Sequence, residues 1–275
     1  MPISKLQRAI LNVIAANRSP ESVVHGGSVL NRSGLRYSDD IDIAHGLADI
    51  VAETAQTDAT SLIEAGYDFT WTRRGIGHFA AEISGGGDKT KLEWSHDSDF
   101  RFFPAMRDDE FGYVLHPVDI ATNKVLAAAD RRVVRDAVDL MTVHKAILPL
   151  GAAVWAAVAK QVGFTPEGLL AEISKNLNTF TAGDFATLAV SEPLDAKAFV
   201  LGMKAIFAEA NAFVRVMPPG TEGQLFLLDG KPVQPDPDKL DSYTTHEAQR
   251  RGHWPTSPEI SSSMLNRRPE GGAQF

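Results

Sequence analysis

The sequence predicts a mixed α/β core over about residues 1–116, a helical domain over 117–217, and a hairpin with an extended tail over 218–275. Three observations predict this. Short runs of period two near 38–44, 79–84 and 91–95 alternate with helical stripes in the first part. From Leu148 to about Met217 the chain is rich in Ala and Leu and shows helix starts. Pro218-Pro219-Gly220 then breaks the helical pattern.

Residues 3–17 carry Ile3, Leu6, Ile10, Val13 and Ile14 on one stripe, an amphipathic helix that Ser19-Pro20 ends. Val23-Val24-His25 closes a strand, and Ser28-Val29-Leu30 begins a helix. The Gly26-Gly27 turn between them lets a ligand approach the backbone, and a helix start presents N–H groups to phosphate oxygens. Ser28 adds a hydroxyl or caps the helix. From Ser38 the chain reads as a strand, with Asp40, Asp42 and Ala44 on one face and Ile41 and Ile43 on the other. Two carboxylates side by side repel unless a cation lies between them, and Mg²⁺ takes such hard oxygen ligands together with phosphates. Taken singly, the glycines suit an ordinary turn and the aspartates a solvated strand end. The eleven residues between Ser28 and Asp40 allow a short helix and a return strand, which brings turn and carboxylates to one sheet edge. Arg36, four residues before Asp40, is placed either to reach a phosphate or to pair with Asp39.

Gly46 to Ala65 is a second helical pattern. Tyr67 to Ser84 forms extended segments around Gly75-Ile76-Gly77. The loop 85–90, GGGDKT, lacks the spacing of a P-loop and reads as a hairpin connection. Lys91 to Ser95 is the next strand, with Leu92 and Trp94 on one face and Lys91, Glu93 and Ser95 on the other. His116-Pro117 opens a further helix. If that helix runs unbroken, Lys124, Arg131, Arg135 and Asp139 share one face. Such a face suits either a triphosphate, with Asp136 orienting one of the cations or touching the nucleotide, or a row of surface ion pairs. Helix starts follow at 163–167, 181–184 and 192–195. Residues 224–233 form a hairpin across Asp229-Gly230. Tyr243 and Trp254 dock part of the tail, and the last residues, RRPEGGAQF, are expected to be mobile.

The pattern Gly-Ser, about ten residues, then Asp-hydrophobic-Asp resembles the nucleotidyltransferase superfamily of DNA polymerase β. In the form GGSVL followed by RYSDDIDI it is similar to the AbiEii/AbiGii toxin nucleotidyltransferases, to which the MenT toxins are related. A second stretch, 116–146, matches with Asn123-Lys124, Arg131, Arg135-Asp136 and Asp139-Leu140. The resemblance covers His25 to Leu140. It implies a polymerase β-like core with a mixed sheet and a helical C-terminal domain. It further implies an enzyme that moves a nucleoside monophosphate from an NTP to an acceptor and releases pyrophosphate. Gly26, Gly27, Ser28, Arg36, Lys124, Arg131, Arg135 and Asp136 would bind the nucleotide. Asp40 and Asp42 would bind Mg²⁺ or Mn²⁺, with two ions about 4 Å apart in a full site. The superfamily sets a third carboxylate on the neighbouring strand. Glu93 fills that place as metal ligand or base, where relatives usually carry aspartate; Asp97 and Asp99 are the other candidates. The implied acceptor is an RNA, at the tRNA 3′ end, or a protein side chain, in a toxin–antitoxin or phage-defence setting with a cognate antitoxin protein. A small-molecule acceptor such as an aminoglycoside, a weakly active nucleotide- or partner-binding module, and a metal-dependent hydrolase are the competing readings.

Composition narrows the classes further. The 275 residues carry 27 Lys+Arg against 35 Asp+Glu, a net charge of −8, which opposes bulk non-specific binding to nucleic acid. Cysteine is absent, which excludes disulfides and thiol chemistry and fits a cytoplasmic protein. The N-terminus lacks the apolar core of a signal peptide, and the longest apolar run, 147–159, is too short to span a bilayer, so no membrane role is expected.

Overall fold

The computed structural model describes residues 3–32 and 34–255. The last residues, RRPEGGAQF, lie outside the described residues.

Helix α1, Lys5–Ile14, starts at a capping box in which Ser4 and Gln7 satisfy each other's backbone N–H groups. Its buried stripe includes Leu6, Ile10, Leu11 and Ile14. Strand β1, Ser22–His25, leads through the short helix α2, Gly26–Leu30, to β2, Asp40–His45. Helix α3, Val51–Glu64, follows. The antiparallel run β3, Asp68–Gly75, β4, His78–Gly85, and β5, Asp88–His96, turns at Gly86-Gly87, so the glycine loop is a hairpin connection as expected. Short strands β6, Phe100–Arg101, β7, Met106–Asp108, and β8, Gly112–Val114, complete this part. Seven strands form one mixed sheet in the order β3-β4-β5-β2-β1-β8-β7, with β2 parallel to β5 and antiparallel to β1.

The sheet has two differently covered faces. On one, Ile41, Ile43, Leu92 and Trp94 pack against α1 and α3 in a fully buried cluster. That cluster encloses the Arg18–Asp58 ion pair, whose side chains are wholly buried. Asp58 also accepts from the Trp94 indole at 2.7 Å and the Asn17 amide at 2.9 Å. Burial of such a pair is tolerated because each lone pair finds a donor.

On the other face lie the helices α4, Pro117–Asp130, α5, Val134–Ala146, α6, Leu150–Ala157, α7, Pro166–Leu177, α8, Ala182–Ala186, and α9, Ala196–Val216. The three helix starts expected between 163 and 195 are present, capped by Thr165, Thr181 and Asp195. Every residue of α6 is buried, which explains its apolar composition as that of a core helix. No single helix among the described residues is long and apolar enough to cross a membrane.

One expectation fails here. The helix from Pro117 is not continuous: Arg131 and Val133 are extended, with φ −137° and −131°. The physical cause lies far away in sequence. The Asn176 amide of α7 donates to the carbonyls of Ala128 and Ala129, both at 3.0 Å, and so satisfies the end of α4. The supposed common face is therefore divided among α4, which carries Lys124, the extended link at Arg131, and α5, which carries Arg135 and Asp139.

The C-terminal part holds the hairpin β9, Leu225–Leu228, and β10, Lys231–Val233, turning at Asp229 and Gly230, both with positive φ. Strand β11, Thr244–His246, pairs with β9, and β12, Gln249–Arg250, pairs with β6. Tyr243 meets Phe226 edge-on, and Trp254 rests near Phe103 and His116, so both aromatics dock the tail as expected.

Candidate active site

Register places the acidic residues. Across the sheet, His25 on β1 pairs with Asp42 on β2, which pairs with Glu93 on β5. Asp40 lies two residues before Asp42, on the same face. One ligand oxygen each from Asp40, Asp42 and Glu93 falls within 4.8 Å of the others. These are hard oxygen donors at a spacing that fits a divalent cation. The local electrostatics agree. Burial and then the nearby Asp42 charge push the Asp40 carboxyl above its ordinary range, against the pull of Arg135. Lys91 pairs with Glu93, and Arg135 lies 3.8 Å from Asp40 and 2.6 Å from Asp39.

The glycine turn is built against this row. Gly26 has φ +70°, and a Cβ there would come within 2.3 Å of Asp42 Oδ2. A Cβ at Gly27 would meet Ser38 Oγ at 2.7 Å and Arg36 Nη2 at 2.9 Å. Both positions exclude a side chain for lack of room. Ser28 does not cap α2, whose N-cap is His25; its buried hydroxyl donates to the His25 carbonyl at 3.1 Å.

The cations are organised by two carboxylates. Asp139, fully buried, accepts from Lys124 Nζ at 2.7 Å, from Arg36 Nε and Nη2 at 2.8 and 2.7 Å, and from Asn31 Nδ2 at 2.9 Å. Burial alone would raise its pKa, but Lys124 and Arg36 bring it down to about 2. Arg36 therefore does not pair with Asp39; it is buried on Asp139, and Asp39 takes Arg135 instead. Asp136 holds the Arg131 guanidinium by two hydrogen bonds, at 2.8 and 3.0 Å, so it orients one of the cations. The sequence places Asp139 on the charged face and in the second motif without marking it as the hub of the cations, and it does not mark Asn31 at all. The Arg-Asp-x-x-Asp spacing was the signal for Asp139; for Asn31 there was none.

Between the sheet and α4 lies a cleft of about 390 Å³. Gly26, Asp42, Asn123, Lys124 and Arg131 line it, with Ser95, His96 and Asp97 along the end of β5. The volume lies in the ordinary range for small-ligand sites. Asp97 thus sits in the cleft without joining the carboxylate triad. Asp99 is engaged by Arg250 at 3.0 Å.

No protein-family model matches the chain, and no curated protein matches it. Among solved structures it is similar to MenT4, a nucleotidyltransferase toxin of Mycobacterium tuberculosis H37Rv. The TM-score is 0.54 at 17% identity, over 78% of this chain and 84% of that one. It is also similar to JHP933 of Helicobacter pylori, with a TM-score of 0.47 at 16% identity, over 77% of this chain and 91% of that one. The likeness to MenT4 shows a shared fold, in keeping with the mixed α/β core expected from the sequence.

Proposed function

We propose that this chain is a metal-dependent nucleotidyltransferase of the AbiEii/AbiGii toxin type. The observation that carries the reading is the convergence of Asp40, Asp42 and Glu93 on one sheet face, beside a glycine turn and a cleft lined by Lys124 and Arg131. Mg²⁺ or Mn²⁺ held by the three carboxylates supplies charge neutralisation at the phosphates when bound. Gly26 and Gly27 let the turn lie directly against Asp42, Ser38 and Arg36, where a side chain would not fit, and the polyphosphate would enter the adjoining cleft. Lys124 and Arg131 face it with positive charge, each held in place by a buried carboxylate. Glu93 completes the ligand set or takes the proton of the acceptor hydroxyl. The hydroxyl oxygen bonds to the α-phosphorus, the bond to the bridging oxygen breaks, and pyrophosphate leaves.

The motif resemblance implies an RNA acceptor, at the tRNA 3′ end, or a protein side chain, and the fold shared with a nucleotidyltransferase toxin is compatible with either. The test is incubation with each α-³²P nucleoside triphosphate, Mg²⁺ and total bacterial RNA, beside an Asp40→Ala, Asp42→Ala control. Label on tRNA-sized RNA, absent from the control, supports the reading. Label on protein moves the acceptor to a side chain. No label on either, with free phosphate released, refutes transfer in favour of hydrolysis; incorporation only when an aminoglycoside is added makes the acceptor a small molecule.

A further inference from the structure

Asn123 stands in the cleft wall next to Lys124, and its amide is not free to turn. Its Oδ1 accepts from Lys160 Nζ at 3.0 Å. An ammonium only donates, so the oxygen must face Lys160 and the amide nitrogen must face away from it. Lys160 does not line the cleft. It is itself fixed, 2.7 Å from Asp119 Oδ1, with side chains 7% and 0% exposed. Asp119 in turn accepts from the backbone N–H groups of Phe102 at 2.9 Å and Phe103 at 3.0 Å. Three side chains thus form a relay, buried at Asp119 and half-buried at Asn123, whose end is an N–H₂ group with no acceptor among the described residues. Apolar side chains of Leu115, Ile120 and Leu126 lie along the same wall.

We propose that Asn123 reads the nucleoside half of the substrate, and that Lys160 and Asp119 are positioning residues that fix its amide as a donor. This rests on the nucleotidyl-transfer reading. The phosphates belong with Lys124, Arg131 and the carboxylates, which leaves the part of the cleft with the apolar wall and the oriented Asn123 amide to the base or ribose. The group recognised is a hydrogen-bond acceptor, either a base carbonyl or ring nitrogen or the ribose 2′-oxygen. A site that fixes one polar orientation discriminates more sharply than one whose amide can flip.

The test is binding, not turnover. Affinities of the full chain for the four NTPs and the four dNTPs are measured by titration calorimetry in Ca²⁺, for wild type, Asn123→Ala and the double variant Lys160→Met, Asp119→Asn. The double variant removes the relay without leaving a buried charge unpaired, and its fold is checked by thermal melting beside Asn123→Ala, which sits in the cleft wall. If the amide reads the base, Asn123→Ala levels the ranking of the four NTPs by about 3- to 10-fold, the worth of one hydrogen bond. If it reads the ribose, the same variant levels the preference between NTP and dNTP. In either case the double variant shifts selectivity in the same direction while Asn123 is intact. Unchanged selectivity in folded Asn123→Ala overturns the inference and leaves the enzymatic reading standing. Failure of the wild type to bind any nucleotide overturns both.

Discussion

Replacing Asp139 with asparagine tests the cation hub directly. The carboxylate is fully buried and receives four donors from Lys124, Arg36 and Asn31. Its pKa falls from 3.8 to about 2 in the fold. A depressed acid stabilises the fold above its unfolded pKa, and that stabilisation is lost as pH falls through 3.8 towards 2. Linkage converts the shift into about 2 kcal/mol at pH 7 and about 1 kcal/mol at pH 3. The asparagine variant cannot titrate there. It also leaves two buried cations short of their anion, so its total loss at pH 7 is about 3–5 kcal/mol. Urea unfolding of wild type and Asp139→Asn at pH 7, 5, 4 and 3 gives both quantities. The gap between the curves should hold from pH 7 to 5, then narrow by about 1 kcal/mol by pH 3. A gap that stays constant down to pH 3 means that Asp139 titrates alike in both states, and the reasoning fails.

Three further outcomes are expected. Asp40→Asn should raise the melting temperature in EDTA at pH 7, because burial and Asp42 raise this carboxyl's pKa and its ionisation above pH 3.8 opposes folding; it should also remove the rise that Mg²⁺ gives wild type, and a lower melting point in EDTA would contradict the electrostatic account. Gly26→Ala places a methyl 2.3 Å from Asp42 Oδ2 at positive φ, so it should cost about 1–2 kcal/mol in denaturant melts and abolish the Mg²⁺ response; a fully responsive variant would show that the turn adapts. Asp58→Ala strands the buried Arg18 guanidinium and should lose about 3–5 kcal/mol, whereas joint replacement of both partners by apolar residues should recover most of that loss in the same unfolding assay.

What could be read from sequence was local or periodic. The alternation on β2 fixed which side of Asp40 and Asp42 faces the site, and the same alternation on β5 turned Glu93 to that side while burying Leu92 and Trp94. Capping residues marked the starts of α7, α8 and α9. What stayed hidden was decided by distant partners. Arg36 had a plausible local partner in Asp39, yet Asp139, 103 residues away, takes it. The break after Asp130 carries no Gly or Pro signal, because Asn176 of α7 satisfies the helix end instead. Ser28 resembled a cap by residue type, but the chain enters α2 at His25.

The strand that carries the acidic pair also guards folding fidelity. Ile41 and Ile43 are wholly buried, and Asp40 and Asp42 alternate with them between two partner strands. A slip of one residue would exchange the two sets and drive both carboxylates into the cluster under α1 and α3. Unpaired charges there cost several kcal/mol each. Misregistered pairings of the central strand are therefore disfavoured, and the residues proposed for chemistry double as the mark of its register.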